Sequence, residues 1–312
     1  MFSPALKSLR KPLPGKCLLG LSAAISLLAA AAAPACAAGG KLLLTGGVSS
    51  IDGAAGGGLT PWAVIGSYAT ESEVGATAHA SRLRTQDYGL TTFGAALGVL
   101  DRVELSLARQ RFDTGATGTA LGAPGQQLTL DIAGIKLRVA GDAVLDSDSW
   151  LPQVAVGVQS KRLDAGRLAP TLAALGADRR GTDFYLSATK LLLAQGVLVS
   201  GTLRSTRANQ NGLLGFGGTA QRKRKWVPEV SVAYLLSRQL AVGAEVRAKP
   251  DNLNPSILSD GLKEQAWSDL FVAWAPNKHV SLTLAWVDLG RIVPAVVTRR
   301  QSGAYLSTQL SF

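Results

Sequence analysis

The chain holds two histidines, and proton transfer near neutral pH would have to start from one of them. His79 lies in "TAHAS", where it alternates with Thr77 and Ser81. In an extended segment those three side chains share a face, so a hydroxyl nucleophile and a general base could be assembled there. Serine and threonine are also the ordinary lining of a polar interior, and a pair taken from one strand is a weak sign of hydrolysis. His279 follows Pro276-Asn277-Lys278 and reads as a rim residue. Neither histidine has the spacing of a metal ligand set. The glycine-rich "GAAGGGLT" at 53–60 lacks the Gly-Lys-Ser/Thr ending of a phosphate loop and reads as a flexible external loop. "NGLLGFGG" at 211–218 either turns or folds inward as a constriction. The sequence therefore assigns no catalytic residue, no metal and no cofactor, and a hydrolase built on His79 stands only as an alternative.

Charge is more informative. Glu104, Lys161, Arg204, Glu229, Glu245, Arg247 and Lys249 fall on the polar faces of alternating segments. Mixed charge of this kind suits a salt-bridged, nearly closed interior or a narrow polar pore with weak selectivity. A different pattern appears in "DRVELSLARQRFDTG" (101–115), where Val103, Leu105 and Leu107 share a face with Arg109 and Arg111. Apolar surroundings that become anionic a few residues further along match a hydrocarbon layer capped by phosphates, with the long arginine side chains snorkelling outward. The other reading is a bulge that turns both arginines inward. "QRKRKW" at 221–226 is the densest basic run. Its Arg222, Lys223, Arg224 and Lys225 either hold lipopolysaccharide phosphates or form a solvated loop.

The elements that would carry these residues are strands. "LPQVAVGVQSK", "QLAVGAEVRAK" and "HVSLTLAWVD" each alternate at period two over about ten residues, close to what a tilted strand needs to cross a bilayer. Candidate strands lie at 41–49, 61–70, 73–84, 87–99, 101–113, 127–140, 151–161, 182–191, 196–207, 227–236, 239–249, 266–275, 279–288 and 303–312. Tight connections near 70–73, Asp101, Ala194-Gln195, Arg238 and Pro276–Lys278 interleave with longer ones. The short 84–87 and the moderately long 140–151 connections break that rhythm. In an up-and-down barrel every second connection falls on one rim, so short turns and long loops alternate; a Greek-key sandwich has no reason to produce that order. The chain ends in "AYLSTQLSF", with Leu306, Thr308, Leu310 and the terminal Phe312 on one face. That ending resembles the terminal strand read by the barrel-assembly machinery of Gram-negative bacteria. The sequence predicts an all-β fold, an antiparallel up-and-down transmembrane barrel of about fourteen strands, with 12–16 compatible.

Composition agrees with export. Of 312 residues 47% are hydrophobic and 17% charged, below the roughly 25% charged residues of soluble domains. Residues 1–37 read as a signal peptide: Lys7, Arg10, Lys11 and Lys16, then an apolar stretch, then Ala35-Cys36-Ala37. Cleavage after Ala37 removes part of the +11 net charge and both cysteines, Cys17 and Cys36, leaving residues 38–312 as one barrel domain.

The blocks "GGGLTPWAVIG", "DRVELSLARQRFDTG", "KLRVAGDAV", "DFYLSATKLLLAQ", "NGLLGFGG", "AKPDNL" and "FVAWAPNKHVSLTLAWVDLG" resemble a family of proteobacterial exported proteins, the domain of unknown function 3034. The resemblance covers nearly all of the mature chain. It implies a single-domain outer-membrane barrel and implies no activity. The expected partners are outer-membrane lipid, lipopolysaccharide and the barrel-assembly machinery, with no nucleic acid. The expected role is structural, or that of a channel for small polar solutes. A membrane-embedded enzyme acting on lipid or peptide and a soluble periplasmic ligand-binding β-protein are the alternatives.

Overall fold

The computed structural model describes residues 41–143, 150–254 and 259–312. The expected leader, its expected cleavage site and both cysteines lie outside the described residues. Twelve of the alternating segments form long strands: β3 (Val74–Thr85), β4 (Gly89–Val99), β5 (Val103–Asp113), β6 (Gln127–Ala140), β7 (Gln153–Asp164), β8 (Arg180–Leu192), β9 (Val197–Thr206), β10 (Lys225–Leu235), β11 (Leu240–Arg247), β12 (Trp267–Trp274), β13 (Val280–Asp288) and β14 (Ser302–Ser311). Each pairs antiparallel with its neighbours in sequence, and β14 pairs with β3 to close a barrel. Closure leaves no strand edge with unpaired backbone groups, the condition a sheet must meet to stand in hydrocarbon.

The two faces of the wall obey the alternation. On β5, Glu104, Ser106, Ala108, Gln110 and Phe112 point inward and are buried, while Leu105, Leu107, Arg109 and Arg111 are exposed outside. Leu107 and Leu270 each keep about two thirds of their surface exposed (64% and 65%), which suits side chains solvated by lipid. Exposed aromatic residues flank the outer apolar band, with Tyr234, Trp274 and Phe312 toward one rim and Phe93, Phe184, Trp226 and Trp286 toward the other. This is the girdle arrangement of interfacial aromatics.

One rim carries the short connections 100–102, 193–196 and 236–239. The first turns on two residues, Leu100 at φ 53° and Asp101 at φ 48°. Two successive left-handed residues define a type I′ turn, whose twist matches the flanking strands. The opposite rim carries the long connections, among them 114–126 with helix α1 (Gly115–Ala120) and 165–179 with helix α2 (Ala169–Ala174). The two irregular connections in the sequence, 86–88 and 141–152, keep their short and longer lengths.

Two of the fourteen candidate segments are absent from the wall. Residues 41–49 and 61–70 belong to an N-terminal stretch that lies inside the barrel, where its only regular structure is a minimal pair, β1 (Val48–Ser49) and β2 (Ala55–Gly56). Nearly every residue from 44 to 69 is buried, with no exposed apolar row. A twelve-stranded cylinder is too wide for its own side chains to fill, so this stretch, here called the plug, occupies the space. The glycine-rich 53–60 segment is therefore buried within the lumen and is not an external loop.

The seam between β14 and β3 ends at the last residue. Phe312 donates its N–H to the Ala76 carbonyl at 2.8 Å and accepts from Ala76 N–H at 2.9 Å, and its ring is exposed outside. Ser311 points inward, and its Oγ accepts a hydrogen bond from Gln309. Deleting Phe312 is expected to lower the yield of heat-modifiable, folded protein in outer membranes severalfold, while Ser311→Ala leaves it near wild type. Equal, mild losses would show that the terminal residue has no special part in closure.

Candidate functional site

The densest set of charged groups surrounds Asp52, in the plug between β1 and β2. Its carboxylate, fully buried, meets Arg247 Nη2 at 2.8 Å, Lys161 Nζ at 3.4 Å and Arg204 Nη2 at 4.0 Å. These cations come from β11, β7 and β9 and point inward because strand alternation aims them there. Two wall carboxylates complete the cluster. Asp183 lies 3.0 Å from Lys161 and 3.7 Å from Arg204, while Glu229 binds Arg204 through Nε and Arg247 through Nε at 3.3 Å. Three cations thus face three anions. Gln159 accepts from Arg204 at 2.9 Å, Gln110 donates to Asp52 at 3.3 Å, and Arg204 stacks over the Tyr185 ring at 5.1 Å. Burial by itself would raise the Asp52 carboxyl, but Arg247, Lys161 and Arg204 outweigh it and hold the group well below the usual carboxylate range.

The rest of the plug is tied to the wall through its backbone. Glu104 accepts from the N–H groups of Gly66 (2.7 Å) and Ala55 (3.1 Å) while Lys136 pairs with it at 3.1 Å. Lys136 also donates to the Ala55 and Trp62 carbonyls. Glu245 accepts from the Leu59 N–H at 2.7 Å and from the Thr60 hydroxyl at 2.5 Å. Thr189 accepts from Ala63 N–H at 2.8 Å, Thr202 donates to the Pro61 carbonyl at 2.8 Å, and Gln309 accepts from Ser49. Glycine is required where a wall carboxylate approaches the plug backbone. A Cβ on Gly66 would stand 3.2 Å from Glu104 Oε2, and one on Gly57 would collide with the Glu245 carboxylate. At the short-turn rim Lys41 pairs with Asp101 at 2.6 Å, anchoring the start of the plug.

Little space is left. Cavities between plug and wall, one beside Trp62 and Phe271 and one beside Leu59 and Trp267, have volumes of about 20 Å³, enough for a water molecule and for no solute. The long loops close the other rim with an apolar cap. Tyr88 stacks on Phe112 at 5.5 Å, and Leu128, Leu168, Leu213 and Phe216 pack into the same cluster. The 211–218 segment folds inward as part of this cap, and its Asn211 carbonyl accepts from Lys161 at 3.3 Å.

Six of the seven charges expected to point inward are buried on the inner side of the wall. Glu104, Lys161, Arg204, Glu229, Glu245 and Arg247 face the plug. Lys249 stands just beyond β11, paired with Glu264 at 3.2 Å and set over the Trp267 ring at 5.0 Å. Burial lowers the Lys249 amine to about 8 against the pull of Glu264, and burial raises Glu264 despite Lys249. Arg109 and Arg111 both face outward, with no bulge in β5. Arg109 makes a two-pronged contact with Asp131, Nε to Oδ1 at 2.6 Å and Nη2 to Oδ2 at 2.9 Å. Arg222 and Lys223 are exposed, whereas Arg224 folds back over the Phe184 ring at 4.9 Å and Lys225 opens β10. His79 points into the lumen, but neither ring nitrogen has a hydrogen-bond partner, so no serine–histidine pair is formed there. His279 lies at the short-turn rim with Nδ1 3.1 Å from the Ser311 carbonyl oxygen. Among the described residues no group of three or more His, Cys, Asp or Glu side chains could hold a metal.

Asp52 and Glu264 were not recognisable from sequence, because neither sits in an alternating segment. Lys136 and Asp183 were missed although a signal was there: each falls on the inward phase of its strand, Lys136 between Gly134 and Arg138 and Asp183 two positions before Tyr185.

A closed antiparallel barrel with an apolar exterior and a charged, filled interior is a transmembrane β-barrel of the outer-membrane type. The chain belongs to the family described as "Protein of unknown function (DUF3034)", whose profile matches residues 45–309. Comparison with curated proteins finds no match. Among solved structures it is similar to the KdgM porin, at 8% identity over 76% of this chain and 99% of that one with a TM-score of 0.48. The NanC porin gives 7% identity over 75% and 98% with a TM-score of 0.48. Outer membrane phospholipase A from Escherichia coli gives 11% over 75% and 89% with a TM-score of 0.42. Likeness this distant carries no argument about activity.

Replacing Asp52 by Asn leaves three buried cations without their shared anion and is expected to cost about 3–5 kcal/mol, read as a lower temperature for the folded-to-unfolded gel shift. Arg300→Gln, which breaks an exposed pair with Asp288, is expected to cost about 0–1 kcal/mol. The Asp52 contribution is complete above its ordinary value of 3.8 and is lost as pH falls below that toward its lowered folded value. The gap between wild type and Asp52→Asn should therefore narrow on acidification below about pH 4. A gap that stays constant to pH 2 would remove Asp52 from its assigned role.

Proposed function

We propose that the protein is a sealed structural barrel of the Gram-negative outer membrane, exported by its leader, with the short-turn rim in the periplasm and the long loops outside. The observation that carries this reading is the plug: residues 44–69 fill the lumen and are held by buried ion pairs and side chain–backbone hydrogen bonds drawn from strands all around the wall. The apolar loop cap supports it as a second closure on the external side. The filling of the lumen and the lack of a hydrogen-bond partner for either His79 ring nitrogen support this reading over a channel and over a barrel enzyme.

One feature of the wall favours a second reading, a channel for small polar solutes that opens when the plug leaves. Behind the plug the wall presents Ser187, Thr189, Ser200, Thr202 and Ser231, a lining that water would wet. Planar-bilayer recording separates the two. Wild-type protein is expected to give no discrete conductance steps under moderate voltage, and a variant lacking 44–69 is expected to be noisy or conducting. Reproducible wild-type steps whose ion preference shifts toward cations in Arg204→Glu/Arg247→Glu would overturn the sealed reading in favour of the channel.

A further inference from the structure

The outer wall carries a basic surface that the lumen chemistry does not use. Cross-strand register sets Phe93 opposite Arg109, Arg109 opposite Asp131, Asp131 opposite Arg162, and Arg162 opposite Arg180. Two residues toward the long-loop rim, Arg82 lies opposite Thr91 and Thr91 opposite Arg111. Outward-facing arginines therefore run across β3 to β8 in two adjoining rows, and the outward positions of β9–β14 hold none among the described residues. Of the acids on this surface, Asp131 holds Arg109, while Asp164 and Asp113 each accept one backbone N–H of the following turn and keep their charge.

At β7 and β8 the surface carries a shallow, open cleft of about 530 Å³ lined by Arg162, Ala177, Asp178, Arg179 and Arg180. Asp178 pairs with Arg207 at 3.3 Å, outside the three arginines. Arg162 and Arg180 have no ion-pair partner among the described residues, and Arg179 only reaches the Leu163 carbonyl at 3.5 Å. Below Arg162 and Arg180 the outward positions are first Ser160 and Thr182, and then Val158, Phe184 and Leu186, with Arg224 lying over the Phe184 ring. A site with three guanidinium groups above an apolar wall fits an amphiphile that has a phosphate above its acyl chains.

The geometry points to the β7–β8 cleft as a binding site for a phosphate group of the outer-leaflet glycolipid, with Arg162, Arg179 and Arg180 as its ligands. The inference rests on the outer-membrane reading above and assigns that barrel a lipid partner. A soluble phosphate would lack the acyl contacts that the wall below the cleft provides.

The test uses the full mature chain, folded in nonionic detergent, with lipopolysaccharide carrying its lipid A phosphates and the same material enzymatically dephosphorylated. Wild type is expected to retain the phosphorylated form about tenfold better. Arg162→Gln/Arg180→Gln should lose that preference, and Arg162→Lys/Arg180→Lys should recover part of it. Folding of every variant is read independently from heat-modifiable mobility, so a failed barrel and a failed site are distinguished. Inorganic phosphate alone is not expected to compete at millimolar concentration. Equal retention of the two lipid forms by wild type, unchanged preference in the folded glutamine variant, or full competition by inorganic phosphate would each overturn the proposal.

Discussion

Asp52 sits where three wall cations converge, and the filled state of the barrel depends on that meeting. Without an anion supplied from inside, Lys161, Arg204 and Arg247 would exceed the two wall carboxylates that face them, Asp183 and Glu229. Burying an uncompensated guanidinium or ammonium costs several kcal/mol. The wall therefore cannot be packed dry by apolar residues alone, and the plug has to bring a carboxylate to one particular point. Buried ion pairs are poor sources of net stability but strong selectors of one arrangement over others. In this barrel they select where the plug lies.

The remaining features follow from the same constraint. Twelve strands enclose more room than their inward side chains can fill, so a segment must enter, and its backbone polar groups must then find partners. Glu104, Glu245, Thr189 and Gln309 serve that need by accepting plug N–H or hydroxyl groups. A plug rich in glycine lets these side chains approach the backbone closely. Toward the long-loop rim the demand changes, and apolar side chains of the loops and adjoining strand ends pack as an ordinary core. The outer face follows a separate pattern, an apolar band with aromatic girdles and rows of arginine.

Sequence made the wall legible because each strand residue meets one of two sharply different surroundings. Period-two alternation placed Glu104, Arg204 and Glu245 inward, and alternation of short and long connections distinguished the two rims. It left Arg109 and Arg111 open between an outward face and a bulge, and the unbroken β5 is what puts them outward. The plug was illegible for a matching reason. It has no single face, and its contacts are made with residues far along the chain: Lys161 is 109 positions from Asp52 and Arg247 is 195. Its segments 41–49 and 61–70 are apolar enough to pass for strands. What sets them apart is the absence of a polar row alternating with the apolar one. The arginine cleft was half visible: single outward arginines can be read from the pattern, but their adjacency across β7 and β8 depends on register.

Hydrogen exchange at the plug amides tests the central claim most directly. The N–H groups of Ala55, Leu59, Ala63 and Gly66 donate to side chains of the wall, so their protection reports plug docking rather than sheet formation. If the plug is seated as described, these amides exchange as slowly as those in the middle of the barrel strands, and Asp52→Asn speeds them while leaving the strands protected. Exchange of these four amides at the rate of an unstructured peptide, in a barrel whose strands remain protected, would contradict the account.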